Sequence, residues 1–329
     1  MWYNIIIVRI LRKYNVLFYY TGRGKGVDNM EKIYDLIIVG GGAAGLTSAV
    51  YAQRAGLDFV MLDTASSMGS QLTQTDEVEN YTGLGKISGM DLILKFRGHA
   101  SEMDAKMSDE DVSSVSKDGG VFTVTGSKNT YRSKTVILCT GATHRPLGVK
   151  GEAEFTGRGV SYCAVCDGFF YRKKTAVVVG GGDTAVSEAV FLSNICSEVK
   201  IIHRRGEFRA AKSLVDRLNE CENVTQVLNA ELAEIKGDKT VASVVLKDGR
   251  ELETNGVFVA VGIVPNSGLV KDLADCDNAG FVVAGETGKT SCEGLYAAGD
   301  VRTKPLRQII TACADGANCV NAVTELLNS

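Results

Sequence analysis

Short apolar runs, each followed by a glycine-rich turn and then a helical stretch, organise this chain. The first run, Leu36-Ile37-Ile38-Val39, follows Tyr34 and leads into Gly40-Gly41-Gly42-Ala43-Ala44-Gly45 and a helical pattern to Ala55. A second strand, Asp58 to Leu62, ends at Asp63, which completes a βαβ unit. The pattern recurs with Ala176 to Val179, then Gly180-Gly181-Gly182-Asp183-Thr184-Ala185, a helix to about Ser193, and a strand Val199 to Ile202. The two units lie about 140 residues apart, with no short repeat or low-complexity segment between them.

Two further strands close the picture. Val136 to Gly141 ends in a small-residue turn, and Val257 to Gly262 is its counterpart in the second half. Each would close its own sheet, which places chain crossovers near residues 143 and 267. The expected fold is therefore α/β, with two Rossmann-like dinucleotide-binding domains and the second inserted into the first. Residues 30–143 and 268–329 form one domain, residues 144–267 the other, and residues 1–29 stand apart as a leader.

Composition narrows the class without changing that picture. A chain of 329 residues suits two domains of ordinary size. Hydrophobic content of 45%, 37 glycines and only three prolines fit an α/β protein rich in tight turns. A net charge of −3 gives no reason to expect a nucleic-acid partner. The nine cysteines are scattered and odd in number, which argues against a secreted disulfide scaffold and for the cytoplasm. In the leader, Trp2 to Tyr20 is apolar but broken by Arg9, Arg12 and Lys13, so it makes a poor membrane span and a poor signal peptide. Met30 would serve as a start just ahead of the first strand.

The candidate chemistry sits in four places. Gly40, Gly42 and Gly45, between a strand and a helix, permit a tight turn and close approach of backbone N–H groups to a pyrophosphate at the helix N-terminus. Asp63, twenty-three residues after Gly40, can accept hydrogen bonds from ribose hydroxyls. In the second unit Gly180, Gly182 and Ala185 take the same spacing, but the position matching Asp63 is His203, followed by Arg204, Arg205 and Arg209. A carboxylate there would repel a 2′-phosphate, whereas this cluster would bind one, so the second unit reads as an NADP site.

Between the units lies Cys163-Ala164-Val165-Cys166-Asp167-Gly168-Phe169-Phe170. A CxxC in such a protein is either a redox pair or half of a zinc site. The three histidines (His99, His144, His203) and the other cysteines offer no second ligand pair, so no metal is expected. A pair at this spacing can form a reducible disulfide, and Asp167 directly after it can exchange a proton with a leaving thiolate. Near the end, Gly299-Asp300 closes a strand, and Arg307-Gln308 precedes a helix from about Ile309. That arrangement can turn a carboxylate toward a cofactor hydroxyl while helix N–H groups face its ring.

From Tyr34 onward the sequence resembles the low-molecular-weight bacterial thioredoxin reductases. The resemblance rests on Cys163 to Phe170, on His203-Arg204-Arg205 with Phe208-Arg209-Ala210, and on Gly299-Asp300-Val301 with Arg307-Gln308. Gly69-Ser70-Gln71-Leu72 and Glu79-Asn80-Tyr81 resemble flavin-contacting segments of the family. Val165 departs from the threonine common between the cysteines. The resemblance implies FAD contacts at Gly40, Gly42, Gly45, Asp63, Gln71, Asn80, Asp300, Arg307 and Gln308. It implies NADPH contacts at Gly180, Gly182, Ala185, His203, Arg204, Arg205 and Arg209. Cys166 would face the flavin, Cys163 would attack the protein substrate, and Asp167 would be the acid. Arg158, Phe169 and Phe170 would help dock thioredoxin, and the enzyme would be a homodimer with no membrane partner. A relative fed by ferredoxin lacks the second fingerprint, and here its glycines and arginines are intact.

Overall fold

The computed structural model describes residues 32–64, 71–74 and 77–329. The leader, Met30 and the Gly69-Ser70 pair lie outside them. In chain order, β1 (Ile33–Val39), α1 (Ala43–Arg54), β2 (Phe59–Asp63), α2 (Gly89–Glu102) and β3 (Met107–Asp109) begin the first sheet. A hairpin, β4 (Ser114–Asp118) and β5 (Val121–Thr125), then leads to β6 (Thr130–Leu138). The strand order is β3-β2-β1-β6-β5-β4, and β17 (Leu295–Ala297) pairs with the other side of the β6 C-terminal half. The strands from β3 to β6, together with β17, run parallel, and the hairpin is antiparallel.

The apolar runs of the parallel strands are explained by cover on both faces. Along β1, Leu36 and Ile38 enter one core with α1, while Ile37 and Val39 enter a second core on the opposite face. The last helix, α7 (Ile309–Leu327), lies against α1. Gly316 permits that approach, since a Cβ there would sit 2.3 Å from the Ala44 carbonyl oxygen. The 3₁₀ turns Gln71–Gln74 and Gly299–Val301 complete this part of the molecule.

The chain leaves through β7 (Ala142–His144), the one-turn helix α3 (Glu152–Phe155) and β8 (Val160–Ser161). Another one-turn helix, α4 (Ala164–Asp167), carries the cysteine motif and runs into a 3₁₀ turn, Gly168–Tyr171. The second βαβ unit follows as β9 (Thr175–Val179), α5 (Asp183–Ser193) and β10 (Glu198–His203), then α6 (Lys212–Asn219) and β11 (Val224–Leu228). An antiparallel sheet of β12 (Leu232–Gly237), β13 (Val241–Leu246) and β14 (Glu251–Glu253) precedes β15 (Gly256–Val259). The second parallel sheet has the order β11-β10-β9-β15-β8. Its β9 alternates as β1 does, with Ala176 and Val178 in one core and Val177 and Val179 in another.

The return runs through β16 (Ile263–Pro265), which pairs antiparallel with β7, with His144 opposite Ile263 and Ala142 opposite Pro265. The strands expected at Val136–Gly141 and Val257–Gly262 end earlier than those patterns suggest, at Leu138 and Val259. Gly141 (φ 67°) and Gly262 (φ 120°) take the left-handed region just beyond them, which turns the chain out of each sheet toward the β7–β16 pair.

Candidate active site

A cleft of about 890 Å³ opens at the C-terminal ends of β1, β2 and β6. Gly40, Gly42, Asp63, Gln71, Asn80, Asp300, Arg307 and Gln308 all line it. Gly45 lies one turn into α1, behind the loop. A Cβ there would meet the Gly40 carbonyl oxygen at 1.8 Å, so the helix reaches the loop only because this position is glycine. Asp63 is not an isolated acid, because Arg97 of α2 forms a salt bridge with it. No local signal points to Arg97, which lies thirty-four residues away in sequence.

On the other wall, Asp300 and Arg307 are both half-buried, and the Asp300 Oδ1 and Arg307 Nε atoms are buried without partners. Burial raises the Asp300 pKa, while Lys304 and Arg307 pull the other way. The turn that holds Asp300 is fixed from below by Asp315 of α7. Its carboxylate accepts from Gly299 N (2.9 Å), Arg302 Nε (3.1 Å) and Nη2 (2.6 Å), and Lys304 Nζ (2.7 Å).

The redox motif faces this cleft. Cys163 and Cys166 form a disulfide, and Cys166 lines the cleft itself. Gln308 caps α7 and reaches both sulfurs, with its Nε2 at 3.7 Å from Cys166 Sγ and 3.9 Å from Cys163 Sγ. Asn80 Nδ2 holds Gln308 from behind by donating to its Oε1 at 2.9 Å. Gln71 donates to the Ala142 carbonyl at the base of β7. A smaller cavity of about 130 Å³ adjoins the cleft at the disulfide, lined by Ser161, Cys163, Asp167 and His144 among others. Asp167 Oδ2 accepts from Ser161 Oγ at 2.5 Å. His144 stacks on Tyr162, with ring centroids 5.1 Å apart, and burial lowers its pKa.

Two groups near the motif escaped the sequence reading. Glu188 of α5 accepts the Ala164 N–H at 3.3 Å, and its other oxygen is buried without a partner. Glu152 fixes the loop after β7, accepting from Leu147 N (2.9 Å), Gly148 N (2.7 Å) and Tyr162 OH (3.0 Å). Arg158 is exposed and donates to the Glu154 carbonyl, Phe169 is exposed, and Phe170 is half-buried with Lys86 Nζ 5.7 Å from its ring centroid.

The second fingerprint is built on the same plan at some remove from the cleft. Gly180 and Gly182 form the β9–α5 turn, Ala185 lies in the first turn of α5, and around Gly182 a Cβ would meet nothing within 4 Å. The His203 ring fills the space beside Gly181, where a Cβ would meet its Nδ1 at 2.2 Å. His203 stacks on Phe208, and burial, followed by the Arg209 charge, lowers its pKa. Arg204, Arg205 and Arg209 lie exposed just beyond. Among the described residues no group of acids, cysteines and histidines could hold a metal ion, and no helix is long and apolar enough to cross a membrane.

Two glycine-rich βαβ sites with a disulfide at the mouth of one of them define a pyridine-nucleotide-linked disulfide oxidoreductase. The chain belongs to the pyridine nucleotide-disulphide oxidoreductase family, whose profile matches residues 34–316. It is 42% identical over 306 residues to the thioredoxin reductase of Treponema pallidum, covering 91% of this chain and 99% of that one. The crystal structure of the Streptococcus pyogenes thioredoxin reductase superimposes with a TM-score of 0.85 at 39% identity, over 90% of this chain and 98% of that one. The Lactococcus lactis thioredoxin reductase, described as being in an FR conformation, is 36% identical over 90% of this chain and 99% of its own, with a TM-score of 0.61.

Proposed function

We propose that this protein is a thioredoxin-disulfide reductase that takes electrons from NADPH through FAD to the Cys163–Cys166 disulfide and on to oxidised thioredoxin. The observation that carries this reading is that Cys166 lines the same cleft as Gly40, Gly42, Asp63 and Asp300. The cleft suits FAD. Its loop approaches α1 through Gly45, and its buried Asp300 Oδ1 and Arg307 Nε lack partners that a polar cofactor would supply. The second fingerprint suits NADPH, since Gly182 leaves open space for a pyrophosphate and the exposed arginines await a 2′-phosphate.

When bound, NADPH supplies an electron pair and FAD relays it to a disulfide. The Gly40 and Gly42 amides and the start of α1 would hold the pyrophosphate, and Asp63, oriented by Arg97, would receive the ribose. Asp300 and Arg307 would address the remaining polar edge, while Gln71 and the Asn80–Gln308 pair fix the wall beside the disulfide. Cys166, facing the cleft, accepts the electrons as the S–S bond breaks, and Asp167 as the acid gives its proton to the leaving Cys163 thiolate, which becomes the free thiol. Asp167 takes the Cys163 proton as that sulfur attacks the substrate disulfide, and Cys166 then displaces the reduced substrate. Arg158, Phe169 and Phe170 offer the docking surface beside the redox motif.

The division of the chain follows the same logic. Residues 30–143 and 268–329 form the FAD domain, and residues 144–267 form the NADPH domain, joined by the paired strands β7 and β16. Cys166 precedes Gly180 by only fourteen residues, so the disulfide and the NADPH site share one domain. Hydride transfer would need the nicotinamide within about 3–3.5 Å of the flavin, and Cys166 already lines the cleft that would hold the flavin. The inserted domain therefore rotates about β7 and β16 to alternate the two. The Lactococcus lactis comparison supports this, because its TM-score falls to 0.61 at nearly the same coverage and identity as its Streptococcus counterpart. The working form is a homodimer in the cytoplasm; light scattering of the purified protein should give twice the chain mass, and a monomer would contradict the dimer.

The test is steady-state NADPH oxidation by the FAD-loaded protein with and without thioredoxin. Thioredoxin-dependent oxidation that disappears in Cys163→Ser and in Cys166→Ser is expected. Substantial thioredoxin-linked turnover in either variant would overturn the assignment.

A further inference from the structure

Glu188 has no task in the mechanism above, yet it touches the redox motif. It projects from α5, the helix of the second fingerprint, and its Oε1 accepts the N–H of Ala164, the residue directly after Cys163. Its Oε2 is buried without a partner. Around it, Ala164, Ala185, Ala189 and Leu192 belong to one apolar core. An ionised carboxylate in such a place is costly, so the neutral form is favoured.

The second carboxyl is close by. Asp167 ends the same one-turn helix that Ala164 begins, and its Oδ2 is held by Ser161 Oγ. Burial, and then the Asp167 charge, push the Glu188 pKa up to about 7, against the lowering effect of the Ala164 N–H. No other charged group contributes. β9 brings no titratable side chain, and neither Glu198, Lys200 and His203 of β10 nor Lys212, Asp216 and Arg217 of α6 is among the groups that shift it. Tyr171, on the following turn, feels Asp167 as well.

We infer that Glu188 is a positioning residue of the redox motif, which holds the Ala164 amide next to Cys163 and keeps one proton beside Asp167. This rests on the reading of that disulfide as the redox centre. With the proton in place the two carboxyls carry one negative charge. Without it they carry two, and the second opposes the thiolates that reduction creates. Reduction adds two electrons to the S–S bond, and Glu188 then binds its proton more tightly than in the oxidised enzyme. In a window starting near pH 7, reduction therefore takes up an additional solvent proton at Glu188.

The experiment measures the disulfide midpoint potential of the FAD-loaded enzyme from pH 5.5 to 9, by thiol alkylation against defined redox buffers. Each additional proton per two electrons steepens the slope by about 30 mV per pH unit. The wild type is expected to show such a steepening above pH 7, and Glu188→Gln, which keeps shape and one acceptor, is expected to lose it. Asp167→Asn, with Glu188 intact, is expected to move the bend to lower pH by about one unit, the scale of coupled sites. That variant decides the matter if Glu188→Gln does not fold. Identical slopes in wild type and Glu188→Gln, or an unmoved bend in Asp167→Asn, would overturn the inference while leaving the redox centre standing. A wild type with no dithiol–disulfide transition at all would instead remove the reading on which it rests.

Discussion

Replacing Asp315 by Asn probes how the cleft wall is held. The Asp315 side chain is only 6% exposed and shares its charge with the Lys304 side chain, 3% exposed, and the Arg302 side chain, 10% exposed. Asn keeps the shape and one acceptor oxygen but leaves two buried cations without a counter-charge. Breaking a buried pair in this way costs about 3–5 kcal/mol. For a cooperative unit of roughly 150–250 residues, each kcal/mol lowers the melting temperature by about 2–4 °C, so a drop of roughly 6–20 °C is expected. The damage falls on Gly299, whose N–H donates to Asp315, and through it on Asp300 in the cleft, so retained FAD should also drop. The pH dependence has a fixed sign. Burial opposes the Asp315 charge, but the bonds from Arg302 and Lys304 outweigh it and lower the pKa. A carboxyl whose folded pKa is depressed contributes stability above its unfolded value and loses it as pH falls through the folded one. The gap between wild type and variant should therefore be full at pH 7 and narrow in strong acid. Circular dichroism melting at both pH values, with flavin absorbance after desalting, measures all of this. A shift under about 2 °C at pH 7, or an equal gap at both ends, would refute the argument.

Three further outcomes are expected. Neutral replacements of Arg204 and Arg205 should raise the KM for NADPH roughly ten- to a hundredfold per lost phosphate bond while leaving the KM for NADH nearly unchanged, and equal losses would show that the cluster does not read the 2′-phosphate. Gly45→Ala places a Cβ 1.8 Å from the Gly40 carbonyl oxygen, so the purified variant should lack flavin absorbance; occupancy like that of the wild type would contradict the role of that approach. Joining cysteines placed at positions 86 and 170, where Lys86 faces Phe170 across the two domains, should keep exchange between flavin and disulfide but stop NADPH-driven turnover. Normal cycling in the locked enzyme would exclude the rotation.

The parts of this molecule legible in its sequence are those whose physics is local. A strand, a glycine turn and a helix within thirty residues leave a pattern, and both βαβ units form where the pattern lies. Arg204 and Arg205 stand directly after β10, so their place beside the second turn followed from register alone. The partners of the key side chains were not legible. Arg97 meets Asp63 only after α2 folds over the sheet, and Asn80 meets Gln308 across 228 residues. Glu188 sits in a helical stretch that carries no polar motif of its own, and only tertiary packing brings it to Ala164. The β12–β14 sheet also left little trace, because its short strands bury some positions and expose others without the long apolar runs of the parallel sheets.

The central claim is that electrons from NADPH arrive at one particular pair of sulfurs. Anaerobic addition of NADPH to the FAD-loaded enzyme, followed by rapid alkylation and peptide mass spectrometry, tests it without any protein substrate. The account expects new label at Cys163 and Cys166 in proportion to the NADPH consumed, with the seven other cysteines labelled equally before and after reduction. Reduction of the flavin with no label gained at Cys163 or Cys166 would contradict it.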